Sequence, residues 1–122
     1  MSDSYKRALV TGGSRGIGKG IALELARAGW QVAIAHWRDD AAAAETKDEV
    51  EALSGQESPV ISADLGTANG AERTFAEAAD RLGGLETLVN NAGICEFCHV
   101  PSLTAEHIDR IMHINFRSPL LL

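Results

Sequence analysis

Thr11-Gly12-Gly13-Ser14-Arg15-Gly16-Ile17-Gly18 follows an apolar run, Ala8-Leu9-Val10, and leads into apolar residues at helical spacing, Ile17, Ile21, Leu25 and Ala28. That order is strand, glycine turn, helix. The helix is expected to open near Gly16, with its first unpaired N–H groups facing the turn, where they favour negative charge. Gly12, Gly16 and Gly18 permit a tight turn, close approach of backbone to a phosphate, and close packing of helix on strand. A bulky side chain at any of the three is expected to fill the space a pyrophosphate needs. The stretch reads as a phosphate cradle for a nucleotide.

Two cradles compete for these residues. The spacing is G-x-x-x-G-x-G, whereas the commonest dinucleotide fingerprint is G-x-G-x-x-G. Gly13 to Lys19 also reads G-x-x-x-x-G-K, the start of a nucleoside-triphosphate loop. That loop next requires Ser or Thr to hold magnesium, and this chain has Gly20. A P-loop-like nucleotide-binding protein is therefore the remote alternative. A purely structural glycine turn is the third reading of the stretch alone.

Downstream the pattern repeats. Gly29 stops the first helix, and Trp30 to Ala35 reads as a second strand. Ala41 to Leu53 is expected to be a second helix with Val50 and Leu53 inward. Pro59 to Ala63 is a short third strand. Gly70 to Leu82 is a third helix with Phe75, Ala79 and Leu82 on one face, ended by Gly83-Gly84. Glu86 to Asn90 gives the fourth strand. Strand–helix three times over, then a strand, means right-handed crossovers and a parallel sheet. The expected fold is α/β: a Rossmann-type doubly wound sheet in three αβα layers, strand order 3-2-1-4. Ligands of such sheets lie beyond the carboxyl ends of the strands. The glycine turn, His36, Asp64 and Asn90 all fall there, which points to one shared dinucleotide cleft.

The residues after the second strand, His36-Trp37-Arg38, sit where such a fold meets the adenosine ribose. A preference for NAD goes with an acidic residue at that point. Here His36 stands there, with Arg38 two residues on and Arg15 able to reach the same corner. Two guanidinium groups suit a 2′-phosphate through bidentate hydrogen bonds, so NADP is favoured over NAD. Asp39 and Asp40 follow at once, and would bind ribose hydroxyls if the strand ended later. Two solvated arginines are the plain alternative.

The run from Thr11 to Gly18 resembles the cofactor motif of the classical short-chain dehydrogenase/reductase family. Asn90-Asn91-Ala92-Gly93 resembles that family's second signature, and Asp64 and Asn115 fall where its pattern expects them. In flavour the chain is similar to the 3-oxoacyl-(acyl carrier protein) reductases. The resemblance covers the whole chain but about the first half of a typical member, so 1–122 is expected to be an NAD(P)-binding domain cut before the catalytic segment. It implies cofactor contacts from Gly12, Ser14, Arg15, Gly16, Ile17, Gly18, His36, Arg38, Asp64, Leu65, Asn90, Ala92 and Gly93. The Asp64 carboxylate is then an acceptor for the adenine amino group, against the plainer reading of a loop or helix cap. Backbone at Ala92 and Gly93 passes close to the cofactor, and the Asn side chains pin the strand end, against the plainer reading of a turn.

Thr104 is expected to cap a helix carrying Ile108, Ile111, Met112, Asn115 and Phe116, with Asn115 the one polar residue on its apolar face. By resemblance Asn115 is catalytic and holds a water of a proton relay through its main-chain carbonyl; a buried Asn bonded to backbone is the plain alternative. Pro119, four residues on, lacks the N–H that would bond that carbonyl, so a kink is expected. The chemistry implied is hydride transfer between NADP(H) and a small carbonyl or alcohol, with acyl-thioester, sugar and simple ketone substrates all open. A tyrosine acid/base, an adjacent lysine and a serine belong to that chemistry. The only tyrosine here is Tyr5, and Lys does not stand four residues after it. The chain alone is expected to be inactive. Either it is the front of a reductase, homo-oligomeric when complete, or it is a non-catalytic dinucleotide-binding fragment. The apolar end Pro119-Leu120-Leu121-Leu122 and an open edge at the fourth strand predict weak cofactor binding and self-association.

Composition narrows the classes. With 122 residues, 45% hydrophobic and 23% charged, the chain is at most one ordinary globular domain. A net charge of −6 without a basic run offers no footprint for nucleic acid or an anionic membrane. No span-length apolar stretch or leader is visible, so a cytoplasmic location is expected. Cys95-Glu96-Phe97-Cys98-His99 matches the haem-attachment pattern, and His107 or His113 would be needed to complete a zinc site. Neither context fits, a redox dithiol is a further alternative, and the pair reads as ordinary loop thiols; no metal is expected.

Overall fold

A computed structural model describes residues 6–94 and 99–122. The readings of Cys95, Phe97, Cys98 and Tyr5 concern positions outside the described residues. Strands β1 (Arg7–Thr11) and β2 (Gln31–His36) are buried at every residue after the first. Such runs are continuous rather than alternating because a parallel sheet is covered on both faces. With β3 (Val60–Ser62) and β4 (Thr87–Val89) they form one parallel sheet in the order β3-β2-β1-β4. This is the order expected from sequence, and β4 lies at an edge.

Side-chain alternation divides the core between the two faces. Val10, Val32 and Ile34 pack with Ala22 and Ala26 of α1 (Gly16–Arg27) and Val50 of α2 (Asp40–Ser54). Leu9, Ala33, Ala35 and Ile61 pack on the opposite side with Ala78 and Leu82 of α3 (Ala68–Leu82). Alanines supply much of both helix faces, which lets the helices lie close to the sheet. Helix α1 closes with Gly29 N–H donating to Ala26 O and Trp30 N–H to Leu25 O, so Trp30 belongs to the helix end and β2 starts one residue later than expected.

On α2 and α3 the inward faces differ from expectation. On α2 the buried stripe is Ala43, Thr46 and Val50. It continues four residues on, at half-buried Ser54, which leaves Leu53 41% exposed. On α3 the stripe is Ala71, Thr74, Ala78 and Leu82, and Phe75 is 39% exposed. Thr74 goes inside because its hydroxyl donates to Gly70 O at 2.7 Å, a bond made within its own helix that a hydropathy pattern does not register.

Beyond β4, a 3₁₀ turn (Val100–Ser102) precedes α4 (Ala105–Met112). Thr104 caps α4 as expected, its hydroxyl accepting from His107 N–H at 3.1 Å. The face of Ile108, Met112 and Phe116, expected inward, is the exposed one, while Ile114 is buried. The chain then widens into a π turn (His113–Arg117), with Ser118 N–H donating to His113 O, and passes into α5 (Ser118–Leu121). Pro119 stands in the first turn of α5, where its missing N–H costs little. The irregularity in the helix at Asn115 takes the form of a widened turn. No helix among the described residues is long and apolar enough to cross a membrane.

One ion pair ties α2 to the lead-in of β3. Lys47 Nζ donates to Glu51 Oε2 at 2.6 Å and to Ser58 O at 2.8 Å, and Ser58 N–H donates to the same Glu51 oxygen at 2.9 Å. The Lys47 bond first, then the Ser58 N–H, holds the Glu51 carboxyl below its ordinary value. A carboxylate depressed in the folded state adds stability above its unfolded pKa, near 4.3, and loses it as pH falls through the folded value. Glu51→Gln is therefore expected to be less stable than the parent chain at pH 7, with the gap closing as pH falls below the unfolded pKa and through the lowered folded one. Urea midpoints across that range check it.

Candidate functional site

A cleft of about 220 Å³ opens at the carboxyl ends of the strands. Gly12 after β1, Ala35, His36 and Trp37 at the end of β2, Ala63, Asp64 and Leu65 after β3, and Ala92, Gly93 and Ile94 after β4 line it, with Arg110 and Ile114 across from them. The four strand ends converge on this cleft; of the residues expected there, Gly12, His36, Asp64, Leu65, Ala92 and Gly93 line it, while Ser14 to Gly18, Arg38 and Asn90 do not.

Crowding closes the glycine turn at two of its three expected glycines, Gly12 and Gly18. Gly12 adopts φ +63°, and a Cβ on it would stand 3.0 Å from the Ala92 Cα. A Cβ on Gly18 would stand 2.1 Å from the Gly12 carbonyl oxygen and 2.5 Å from Asn91 Nδ2. A Cβ on Gly16 would meet nothing within 4 Å, so there the constraint is φ +60° and the open space beside it. Gly13 is equally tight: a Cβ would come 2.9 Å from Ile34 Cγ2. No side chain caps α1, whose N-cap is Arg15, and the first helical bond runs from Lys19 N–H to Arg15 O. The amides of the preceding residues thus face the turn without a capping side chain, as an anion site requires.

The loop after β4 is sewn to this turn. Thr11 Oγ1 accepts from Asn91 N–H at 3.1 Å and Ala92 N–H at 3.0 Å, and donates to Val89 O at 3.3 Å. Asn91 Nδ2 donates to Thr11 O and Gly12 O, each at 3.2 Å. Asn91 therefore pins the strand end through bonds to the glycine turn, while Asn90 is exposed. Thr46 adds a third tie, its buried hydroxyl donating to Ser14 O at 2.7 Å.

At the end of β2 His36 is 6% exposed, and its Nδ1 accepts from Asp39 N–H at 3.2 Å. Arg15 and Ser14 both donate to the Asp39 carboxylate. The Arg15 bond first, then the Ser14 hydroxyl, lowers the Asp39 carboxyl pKa, and the same pair raises that of Arg15. The two arginines expected here thus differ: Arg15 is ion-paired, while Arg38 lies over the Trp37 ring, 5.1 Å from its centroid.

Asp64 makes the loop contact that its plainer reading calls for, Oδ1 accepting from Gly66 N–H at 2.8 Å. Arg110 Nη1 lies 3.4 Å from each of its carboxylate oxygens. Gly70 holds the loop close, since a Cβ there would stand 1.9 Å from Asp64 O. Asn115 is exposed rather than buried, and its amide clasps the β4 loop: Nδ2 donates to Ile94 O at 2.8 Å and Oδ1 accepts from Ile94 N–H at 2.9 Å. The side chain is thereby committed to backbone. Among the described residues, no three His, Cys, Asp or Glu side chains gather as a metal site.

The family model for short chain dehydrogenases matches residues 6–122. The chain belongs to the short-chain dehydrogenase family. Among its relatives, the short-chain dehydrogenase/reductase FrzI of a Cladobotryum species is 40% identical over 117 residues, covering 96% of this chain and 45% of FrzI. Hydroxynaphthalene reductase arp2 of Aspergillus fumigatus is 38% identical, covering 96% of this chain and 42% of the reductase. A short chain dehydrogenase from Burkholderia cenocepacia, solved in complex with NADP, superposes with a TM-score of 0.91 at 40% identity, covering 95% of this chain and 47% of that one. A blue fluorescent protein from a metagenomic library, solved with NADPH, gives 0.89 at 35% identity, covering 95% and 47%. This short-chain dehydrogenase chain spans less than half the length of each of these relatives.

Several working residues were not singled out from sequence. Thr11 ends β1 inside the quoted stretch, yet only the fold brings its hydroxyl to the β4 loop. Thr46 and Arg110 come from helices whose facing depends on packing. Trp37 is adjacent to two residues that were assigned, and an aromatic at a strand end was the available signal.

Proposed function

We propose that residues 6–122 build the dinucleotide cleft of an NADP(H)-dependent oxidoreductase that moves a hydride between the nicotinamide and a carbonyl or alcohol. The supporting observation is the α1 N-terminus: a helix start without a side-chain cap, beside a turn whose glycines keep side-chain atoms away. Bound there, the cofactor supplies or accepts the hydride. The amides of Gly16, Ile17 and Gly18 with Ser14 hold the diphosphate, and Arg15 and Arg38 face the 2′-phosphate. Asp64 and Leu65 border the adenine. Asn90, Ala92 and Gly93 border the cofactor beyond it, and Asn115 offers its main-chain carbonyl to a relay water. The NADP and NADPH complexes of the two solved neighbours favour the phosphorylated cofactor.

Turnover also needs a phenol and a lysine beside the substrate oxygen. Residues 6–122 contain no tyrosine, so this stretch by itself is proposed to bind cofactor without reducing substrate. The substrate class is a small carbonyl or alcohol. The name of the hydroxynaphthalene reductase relative favours a hydroxylated aromatic over an acyl-thioester. A cytoplasmic location and a homo-oligomeric assembly complete the proposal. Replacing both Arg15 and Arg38 by alanine is expected to lower the preference for NADPH over NADH by about 1 kcal/mol or more, read from paired titrations. An unchanged preference contradicts the assignment of that corner.

A further inference from the structure

Asp64 is held from two sides. Gly66 N–H, from its own loop, donates to Oδ1 at 2.8 Å, whereas among the described residues the partner of Oδ2 is a side chain of α4. Arg110 Nη1 lies 3.4 Å from each carboxylate oxygen, and the Arg110 and Asp64 side chains are 43% and 25% exposed. A tight charge-assisted pair closes to about 2.8 Å, so this longer contact orients the carboxylate and leaves it lone pairs for another donor. The loop makes room for the guanidinium: a Cβ on Gly66 would stand 2.5 Å from Arg110 Nη1. Arg117, about two helical turns after Arg110, donates from Nη2 to Gly66 O at 3.1 Å. Two arginines of one helical segment therefore fix loop 64–66, and Arg110, Asp64 and Leu65 line the same cleft.

We infer that Arg110 is a positioning residue: it aims Asp64 Oδ2 at the exocyclic amine of the dinucleotide's purine, and so makes the cleft select an aminopurine over an oxopurine. The inference rests on the proposed reading of the cleft as a nicotinamide dinucleotide site with adenine bordering Asp64. An oxopurine brings a carbonyl to the place of that amine, and two acceptors then face each other without a donor. A carboxylate held in place enforces this cost. One free to turn about its side-chain bonds escapes it. Arg110 acts through Asp64 and makes no contact with the purine.

Titration of the full chain with NADP+ and with its hypoxanthine analogue, in which the amine is replaced by a carbonyl, tests it. The parent chain is expected to bind the analogue about tenfold more weakly than NADP+. In Arg110→Gln that ratio falls to about threefold, chiefly through weaker NADP+ binding. Gly66→Ala, whose methyl group pushes the flexible guanidinium aside, lowers the ratio the same way. Asp64→Asn offers an amide that also donates, so the ratio drops to about one, and adding Arg110→Gln moves it no further. Arg27→Gln, an equal charge change on α1 outside the cleft, leaves the ratio at its parent value. Thermal unfolding confirms that each variant is folded. A parent chain that binds both dinucleotides equally overturns the inference, as does an unchanged ratio in folded Arg110→Gln; either result leaves the cleft reading standing. A ratio that rises in Arg110→Gln means that the guanidinium meets the purine itself, and overturns it too. An equal fall in Arg27→Gln assigns the effect to net charge and overturns it as well. Failure of the parent chain to bind either dinucleotide removes the cleft reading and the inference together.

Discussion

Gly18→Ala is expected to cost about 3 kcal/mol of stability and to abolish dinucleotide binding at concentrations that saturate the parent chain. The added carbon would stand 2.1 Å from the Gly12 carbonyl oxygen and 2.8 Å from the carbonyl carbon, both backbone atoms. Gly12 has no room to retreat, because it is itself pressed against Ala92 and Asn91. Relief has to come from α1 sliding away from the turn, which moves the unpaired amides off the anion position. Urea unfolding and an NADPH fluorescence titration measure the two effects. Gly20→Ala is the internal comparison: it is two residues further along the same helix and meets nothing within 4 Å. There the substitution removes only the backbone freedom of glycine and is expected to stabilise by about 1 kcal/mol. Like behaviour of the two variants would deny the turn its close-packed character.

Asn115→Ala is expected to weaken dinucleotide binding about thirtyfold while leaving the NADPH-to-NADH preference unchanged, since two hydrogen bonds of about 1 kcal/mol each are lost at the β4 loop and none at the Arg15–Asp39 pair. Its amide is the clasp on Ile94, and Ala92, Gly93 and Ile94 all line the cleft. Freed of that clasp, the loop has to be ordered by the ligand, at the ligand's expense. Paired titrations of wild type and variant measure it. A shift in preference, or none in affinity, would mean that the side chain does not support the cleft through this loop.

The sheet was legible because its evidence is local. Ala8 to Val10 and Val32 to Ala35 are apolar runs, the first followed and the second preceded by a glycine turn, and three strand–helix units leave little freedom in topology. The strand ends, and with them the cleft, followed from that. Helix facing was less legible: Thr74 is buried through a hydroxyl bond to its own helix, and Phe75 beside it faces out. The glycine turn was placed correctly, but the reason for Gly18 is the Gly12 carbonyl, a contact between backbone atoms that no side-chain pattern encodes. After β2 the sequence offered Arg15, Arg38, Asp39 and Asp40 without their pairing. Which acid meets which arginine depends on the turn at Arg38, and that is a property of the backbone.

Everything proposed for the site depends on main-chain amides at the start of α1 holding a diphosphate. A crystal structure of the chain with NADP+ measures this directly. The account predicts diphosphate density against the N–H groups of Gly16 to Gly18, with the adenosine running towards Trp37 and Asp64. Density for the dinucleotide away from the Gly12–Gly18 turn would contradict it.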